Sequence, residues 1–361
     1  MFDLDPGEEL RLLVETTRSF AAEALTPALR EAEAARAVDP AVRASFAQIG
    51  LAGLELPEAL GGVALGSVAR ALVNEELGAA DPGAALALDP LGPALPVLEE
   101  LGGEEALATL ASPLYSQGSE ARAVLIDLDD SDLRVEGDRV AGHVPFVPAD
   151  RAALLVGLGR EGALVVSEGM HFESLRGAGL RAAGASSVSI TDAPLAARWT
   201  DPKAAVRARA RARVYVASLL LGVLRASCEF SRAYALERQA FGRPIAHHQA
   251  LAFLITDMQM ALDGARLLVH DAAWRLDAGL EATGAAAAAF AETIEATRLI
   301  GPAGVQILGG HGFMADYPVE KFMRESRALA SWVGGLDAAR EDAGRELCAS
   351  SGAIALSVGE P

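Results

Sequence analysis

The sequence predicts a mostly helical protein with a β unit in the middle: a helical region over residues 1–111, strands over 112–200 and a helical bundle over 201–361. Three observations carry that prediction. Apolar residues recur every three or four positions in the first and last thirds of the chain. Short β-branched runs bounded by Gly, Asp or Pro fill the middle. No strand–helix alternation occurs, and no GxGxxG opens a helix after a strand, which argues against a Rossmann domain.

Taken in order, Leu10, Leu12, Leu13, Thr17 and Phe20 place an apolar stripe on a helix, so 8–36 reads as one or two helices. Asp39-Pro40 supplies an N-cap and a first-turn proline ahead of Val42, Phe46 and Ile49. Gly61-Gly62 marks a loop, and Val68 to Gly78 is helical again. Strands are expected at 121–128, at 133–140, at 163–167 and from Ser186 to Pro194, closing the β unit near residue 196. Asp201-Pro202 opens the next helix, whose segment Val214 to Leu224 is apolar nearly all round, as suits the centre of a bundle. Leu251 to Leu276 keeps helical spacing over many turns, and an Ala-rich helix runs from Gly284 toward Leu299, with a bend expected at Gly301-Pro302.

Composition excludes several classes of function. The formal charge is -18 and the run Arg207 to Arg213 is short, so nucleic acid is not expected as a partner. The first residues are acidic rather than basic and no uncharged apolar run reaches about eighteen residues, so neither a signal peptide nor a membrane span is expected. A cytoplasmic location follows as an expectation. Cys228 and Cys348 lack CxxC spacing and are expected to be buried hydrophobes. The six histidines have no HExxH context, so no metal site is expected.

Chemistry concentrates in three stretches of the last third: Tyr234 to Gln249 (YALERQAFGRPIAHHQ), Val305 to Phe313 (VQILGGHGF) and Asp316 to Arg324 (DYPVEKFMR). A guanidinium at Arg238 and a ring at Phe241 can clamp a diphosphate and a planar group, and Gly309-Gly310 lets backbone approach a ligand closely. Singly, each is as readily a surface Arg, a core Phe and a plain turn. In this order and spacing they resemble the signatures of the acyl-CoA dehydrogenase flavoproteins. Gly50 to Gly62 and Glu75 to Gly83 extend the resemblance to the N-terminal third, and it fades in the middle.

That resemblance implies an N-terminal helical domain, a β-barrel middle domain and a C-terminal four-helix bundle, assembled as a tetramer. It implies FAD as cofactor and an acyl-CoA thioester as substrate, with an electron-transfer flavoprotein as a possible electron acceptor. Arg238, Gln239, Phe241, His248, Gln249, Gln306, Ile307, Leu308, Gly309 and Gly310 resemble residues that hold a neighbouring subunit's FAD. Arg213 and Gly334 resemble substrate-binding positions.

The resemblance breaks where the reaction needs a base. The family removes an α-proton with a carboxylate while the β-hydrogen leaves as hydride to the flavin, and such a base contributes roughly 10²–10⁴-fold in rate. Val333 occupies the usual glutamate position, and the alternative position before Arg213 is Ala212. The nearest remaining carboxylate, Asp337, stands a helical turn further on, about 6 Å of rise. The family's Thr-Glu-Pro-Gly-Ala-Gly-Ser loop has no counterpart in 119–132, and its Trp-Ile-Thr stands as Phe146-Val147-Pro148, where proline offers no amide hydrogen. The sequence therefore points to an acyl-CoA dehydrogenase-like chain without its own base, as one subunit of a homo- or hetero-tetramer. Two alternatives stay open: a non-catalytic binding subunit on the same fold, and a different flavin oxidation on that scaffold.

Overall fold

The computed structural model describes residues 7–115 and 121–349. Ser119 and Glu120, the start of the altered loop, and the acidic residues before Gly7 lie outside them. The N-terminal region consists of α1 (Gly7–Phe20), α2 (Leu29–Ala35), α3 (Pro40–Gln48), α4 (Ser67–Ala80), α5 (Pro82–Leu88), α6 (Leu95–Ala106) and α7 (Ser112–Tyr115). A wide helical turn at 21–25 separates α1 from α2. Asp39 caps α3 by accepting from the Ala41 amide at 2.7 Å, as its position before Pro40 requires.

The middle region contains β1 (Ala123–Asp127), β2 (Arg134–Glu136), β3 (Arg139–Val147), β4 (Leu154–Leu158), β5 (Gly162–Val166), β6 (Met170–Ser174), β7 (Ser186–Pro194) and β8 (Ala197–Thr200). They form two four-stranded sheets, ordered β1-β4-β5-β8 and β2-β3-β7-β6, with only β1 and β4 parallel. The expected barrel is therefore not closed. Strands β4 and β6 were not foreseen, and β8 carries the unit past residue 196. In β1, Val124 and Ile126 enter the core between the sheets, while Ala123 and Leu125 join the helical core. A strand buried on both faces shows no polar alternation, and this one delivers Asp127 to the boundary between strands and helices.

The C-terminal region holds α8 (Pro202–Glu237), α9 (Gln249–Asp277), α10 (Thr283–Leu308), α11 (Val319–Ala330) and α12 (Gly335–Ala349). Asp201 caps α8, accepting from the amides of Lys203 and Ala204. Two glycines let α4 cross α8 closely: a Cβ on Gly78 would stand 2.4 Å from the Leu219 carbonyl oxygen, and one on Gly222 would stand 2.2 Å from that of Glu75. On length and composition α8 is apolar enough to cross a membrane, contrary to the expectation that no segment would be. However, 78% of its apolar window is buried within the fold, where it serves as the bundle's central helix.

Two further expectations need correction. Helix α10 continues through Gly301-Pro302 to Leu308, past the Leu299 toward which it was expected to run, with the proline ring on an exposed face. Cys228 is buried, and burial pushes its thiol up to about 12, but Cys348 is exposed.

Candidate functional site

At 1.5 Å per residue, α8 separates two regions by roughly 37 Å, with Arg213 near one and Arg238 at the other. Helix α10 runs the same way, because Thr283 at its start lines a cavity with Arg213, while the turn after its end approaches Tyr234.

The inner region surrounds the base position. After α11, residues 331–334 turn into α12 with positive φ at Val333 (52°), Gly334 (81°) and Gly335 (59°). Glycine adopts this region freely, whereas a β-branched residue there is an outlier that only tight surroundings maintain. Val333 is 4% exposed. The preceding Trp332 donates its indole N–H to the Leu125 carbonyl at 3.0 Å, tying the turn to β1.

A carboxylate does stand beside the turn, but from another part of the chain. Asp127 Oδ2 lies 3.4 Å from where a Cβ on Gly334 would be. The same oxygen pairs with Arg209 Nη1 at 2.8 Å, and Oδ1 accepts the Asp129 amide at 3.0 Å. Burial pushes the Asp127 carboxyl above the usual range, against the pull of Arg209. With both oxygens engaged and its charge compensated, Asp127 closes the site and is poorly placed to receive a substrate proton. The spacing Arg209–Arg213 puts both guanidiniums on one face of α8, while Arg207 and Arg211 pair with Glu100 on another. That four-residue spacing was the available signal: Arg213 was singled out as a substrate position, while Arg209, one turn before it on the same face, was missed.

The Asp127–Arg209 pair separates two cavities. The smaller, about 220 Å³, is walled by Leu125, Phe146, Pro148, Trp332 and Val333, with Asp127 and Asp130 as its charged groups. An isoalloxazine ring presents several hydrogen-bond acceptors and needs donors around it. Here the Ser131 and Ser331 hydroxyls donate to the Leu128 and Ala328 carbonyls, the Trp332 N–H is committed to Leu125, and Pro148 has no N–H. The side chains of this pocket do not fit a flavin ring. The larger cavity, about 690 Å³, brings together Arg213 and Gly334, the two expected substrate positions, and also Asp337, which is exposed at its mouth.

The outer region is a hairpin at the end of α8. Gln239–Ala240 pairs with Arg243–Pro244, and the turn residues Phe241 and Gly242 both have positive φ, 55° and 77°. Such two-residue turns favour Asn-Gly, so a phenylalanine there is costly. Phe241 is also 95% exposed, in edge contact with the His248 ring at 5.9 Å. His248 is held by the Ala240 carbonyl and Arg243, each at 3.2 Å. The Tyr234 hydroxyl meets His311 Nδ1 at 2.9 Å and His311 stacks on Tyr317, which joins the hairpin to the turn after α10. Arg238, Gln239, Gln249 and Gln306 are exposed there, and a Cβ on Gly309 or Gly310 would meet nothing within 4 Å. The side chains of Ile307 and Leu308 are instead buried in the core at 4% exposure each, so they cannot contact a ligand as expected.

Residues 7–117 match the family model described as acyl-CoA dehydrogenase, N-terminal domain, and residues 203–348 match acyl-CoA dehydrogenase, C-terminal domain. The mitochondrial short-chain specific acyl-CoA dehydrogenase of Homo sapiens is 27% identical over 91% of this chain and 87% of its own. A short-chain specific acyl-CoA dehydrogenase of Clostridium acetobutylicum is 36% identical over 34% of this chain and 32% of its own. Among solved structures, butyryl-CoA dehydrogenase from Megasphaera elsdenii superposes with a TM-score of 0.84 at 20% identity, covering 96% of this chain and 100% of that one. PigA with FAD and proline gives 0.83 at 19% identity, covering 96% and 99%. Both structural likenesses establish the fold.

Proposed function

The chain belongs to the acyl-CoA dehydrogenase family, and from that premise we propose that it is the base-lacking subunit of a mixed acyl-CoA dehydrogenase-type assembly. In this reading it presents Arg238, Gln239, Phe241, His248, Gln249 and Gln306, with the open backbone at Gly309-Gly310, to FAD seated in a neighbouring subunit. The neighbour carries the carboxylate and oxidises the acyl-CoA thioester. Bound FAD supplies the hydride acceptor, and an electron-transferring flavoprotein is the expected onward acceptor. This chain orients the cofactor and takes no proton itself.

The observation that carries the reading is Phe241, a large apolar side chain that is 95% exposed on a turn it disfavours. Beyond the His248 edge, nothing among the described residues accounts for that choice, and a planar ligand or a neighbour's surface would. The occluded base position supports the other half: a buried valine, an ion pair beside it and a small cavity without free side-chain donors.

The test is to incubate the purified chain with excess FAD, desalt it and count flavin per chain by visible absorption, alone and after co-expression with a family member that carries the glutamate. Essentially no flavin alone, and flavin retained in the mixed complex, is the expected result. One flavin per chain in the isolated protein would overturn it.

A further inference from the structure

The larger cavity has a charge arrangement that the reading above does not use. Among the described residues it is lined by seven carboxylates and four guanidiniums. Most compensate one another: Arg209 pairs with Asp127 and Asp129, Arg160 with Asp129 and Glu341, and Arg345 with Glu341 and Asp342. Asp130, Asp337 and Glu346 have no ion-pair partner among the described residues, and they lie in the more open part of the wall, with Asp130 and Asp337 exposed.

Arg213 is the opposite case. Its side chain is 1% exposed, and neither Nε nor Nη2 has a hydrogen-bond partner. Asp342 Oδ2 is 2.7 Å from Nη2, close enough to pair in charge, but off the N–H direction. Burial lowers the guanidinium's affinity for its proton, against the pull of Asp342. A buried guanidinium with open donors on a cavity wall calls for an acceptor, best a carboxylate. The carboxylates at the mouth call for a cation.

We propose that this cavity binds a small zwitterion, with its carboxylate inward on Arg213 and its amine outward against Asp130, Asp337 and Glu346. A CoA thioester suits it poorly, because its phosphates would have to pass a mouth with an excess of like charge. The volume, about 690 Å³, lies within the range of small-molecule sites and leaves room for a ligand longer than a simple α-amino acid. This proposal does not depend on where FAD is held, so failure of the flavin experiment would leave it standing, and the reverse is also true.

The probes are γ-aminobutyrate, ε-aminocaproate and ω-aminocaprylate, titrated calorimetrically into the full chain beside caproate, hexamethylenediamine and CoA. At least one amino acid should bind roughly tenfold more tightly than the acid or the diamine, and CoA should give no binding heat. Asp337→Asn with Glu346→Gln should abolish the preference for the amino acid over the plain acid while caproate binding persists. Arg213→Gln should abolish both; if that variant fails to fold, the Asp337→Asn, Glu346→Gln double variant decides alone. Binding of CoA tighter than every amino acid, no amino-acid binding at all, or an unchanged preference in the double variant would each overturn the proposal.

Discussion

Val333 and Phe241 share nearly the same positive φ, 52° and 55°, yet one is 4% exposed and the other 95%. Around Val333 the strain has an internal cause, because Trp332 is bonded to β1, two glycines follow, and the side chain is enclosed. Around Phe241, among the described residues, there is a hairpin turn and the edge of His248. The turn at Val333 and the Asp127–Arg209 pair beside it are engaged within the chain, while the outer region leaves an exposed aromatic ring, the Arg238 guanidinium and open glycine backbone without internal use among the described residues. The same positive φ thus marks a packed turn in one region and an exposed one in the other, and the exposed one is the stronger candidate for contact with a ligand or a neighbour.

If the inner region is structural, cutting its ion pair should cost stability. Arg209→Leu strands the Asp127 carboxylate in a site where both side chains are 10% exposed. Breaking such a pair costs about 3 kcal/mol, the low end of the range because burial is incomplete. Urea unfolding of variant and parent checks this, and a change below about 1 kcal/mol would mean that Asp127 is solvated or protonated in the native state.

The outer region should respond in the reverse sense. Phe241→Asn gives the turn its preferred Asn-Gly pair and should raise the stability of the isolated chain by about 0.5 kcal/mol. The same change should weaken FAD retention by the mixed complex roughly tenfold, about 1.4 kcal/mol. Stability measured by thermal unfolding and affinity by flavin fluorescence would then move in opposite directions. Losses in both would return Phe241 to an ordinary structural role.

A smaller effect lies in the pH dependence. The folded-state pKa of Asp127 is raised by burial, so relative to the unfolded chain its contribution is most favourable when it is protonated, at low pH, and is lost as pH rises through the folded value. Glu76 has the opposite sign: burial would raise it, but the Arg18 hydrogen bond and Arg225 outweigh burial and hold it low, so its contribution is present at neutral pH and lost on acidification. The stability of the parent minus that of Asp127→Asn should therefore fall as pH rises from acid toward neutral, whereas the parent minus Glu76→Gln should rise. Denaturation midpoints across that range check both signs.

The same contrast explains what could be read from the sequence. Helical spacing located α9 and α10, the Asp201-Pro202 start and an all-round apolar run located α8, and α10 runs on past Pro302, whose ring sits on the exposed side. The β unit was legible as strands but not as two open sheets, since closure depends on pairing and not on any one strand's composition. Most of the residues expected at the outer region do lie together, because a hairpin and a helix end present sequence neighbours side by side. Even so, the burial of Ile307 and Leu308 depended on helix phase. At the inner site the sequence showed the absence at Val333 and the positions Arg213 and Gly334, but the carboxylate beside the turn comes from Asp127, 82 residues away from Arg209. No spacing rule links a strand end to a helix face at that separation.

That distinction bears on the substitution with the smallest expected gain, Val333→Glu. If only the base were missing, restoring a carboxylate would restore turnover. In this structure the new carboxylate would enter a pocket already holding Asp127 and Asp130, whose hydroxyls and indole N–H are committed to carbonyls. Like charges placed together disfavour ionisation of the newcomer, and a ring seated there would still lack side-chain donors among the described residues. The variant should show no oxidation of short acyl-CoA thioesters in a dye-reduction assay with added FAD, and a lower unfolding midpoint than the parent. Rapid turnover would mean that the small cavity opens to admit a flavin, and the inner region would then be an active site one residue short of function.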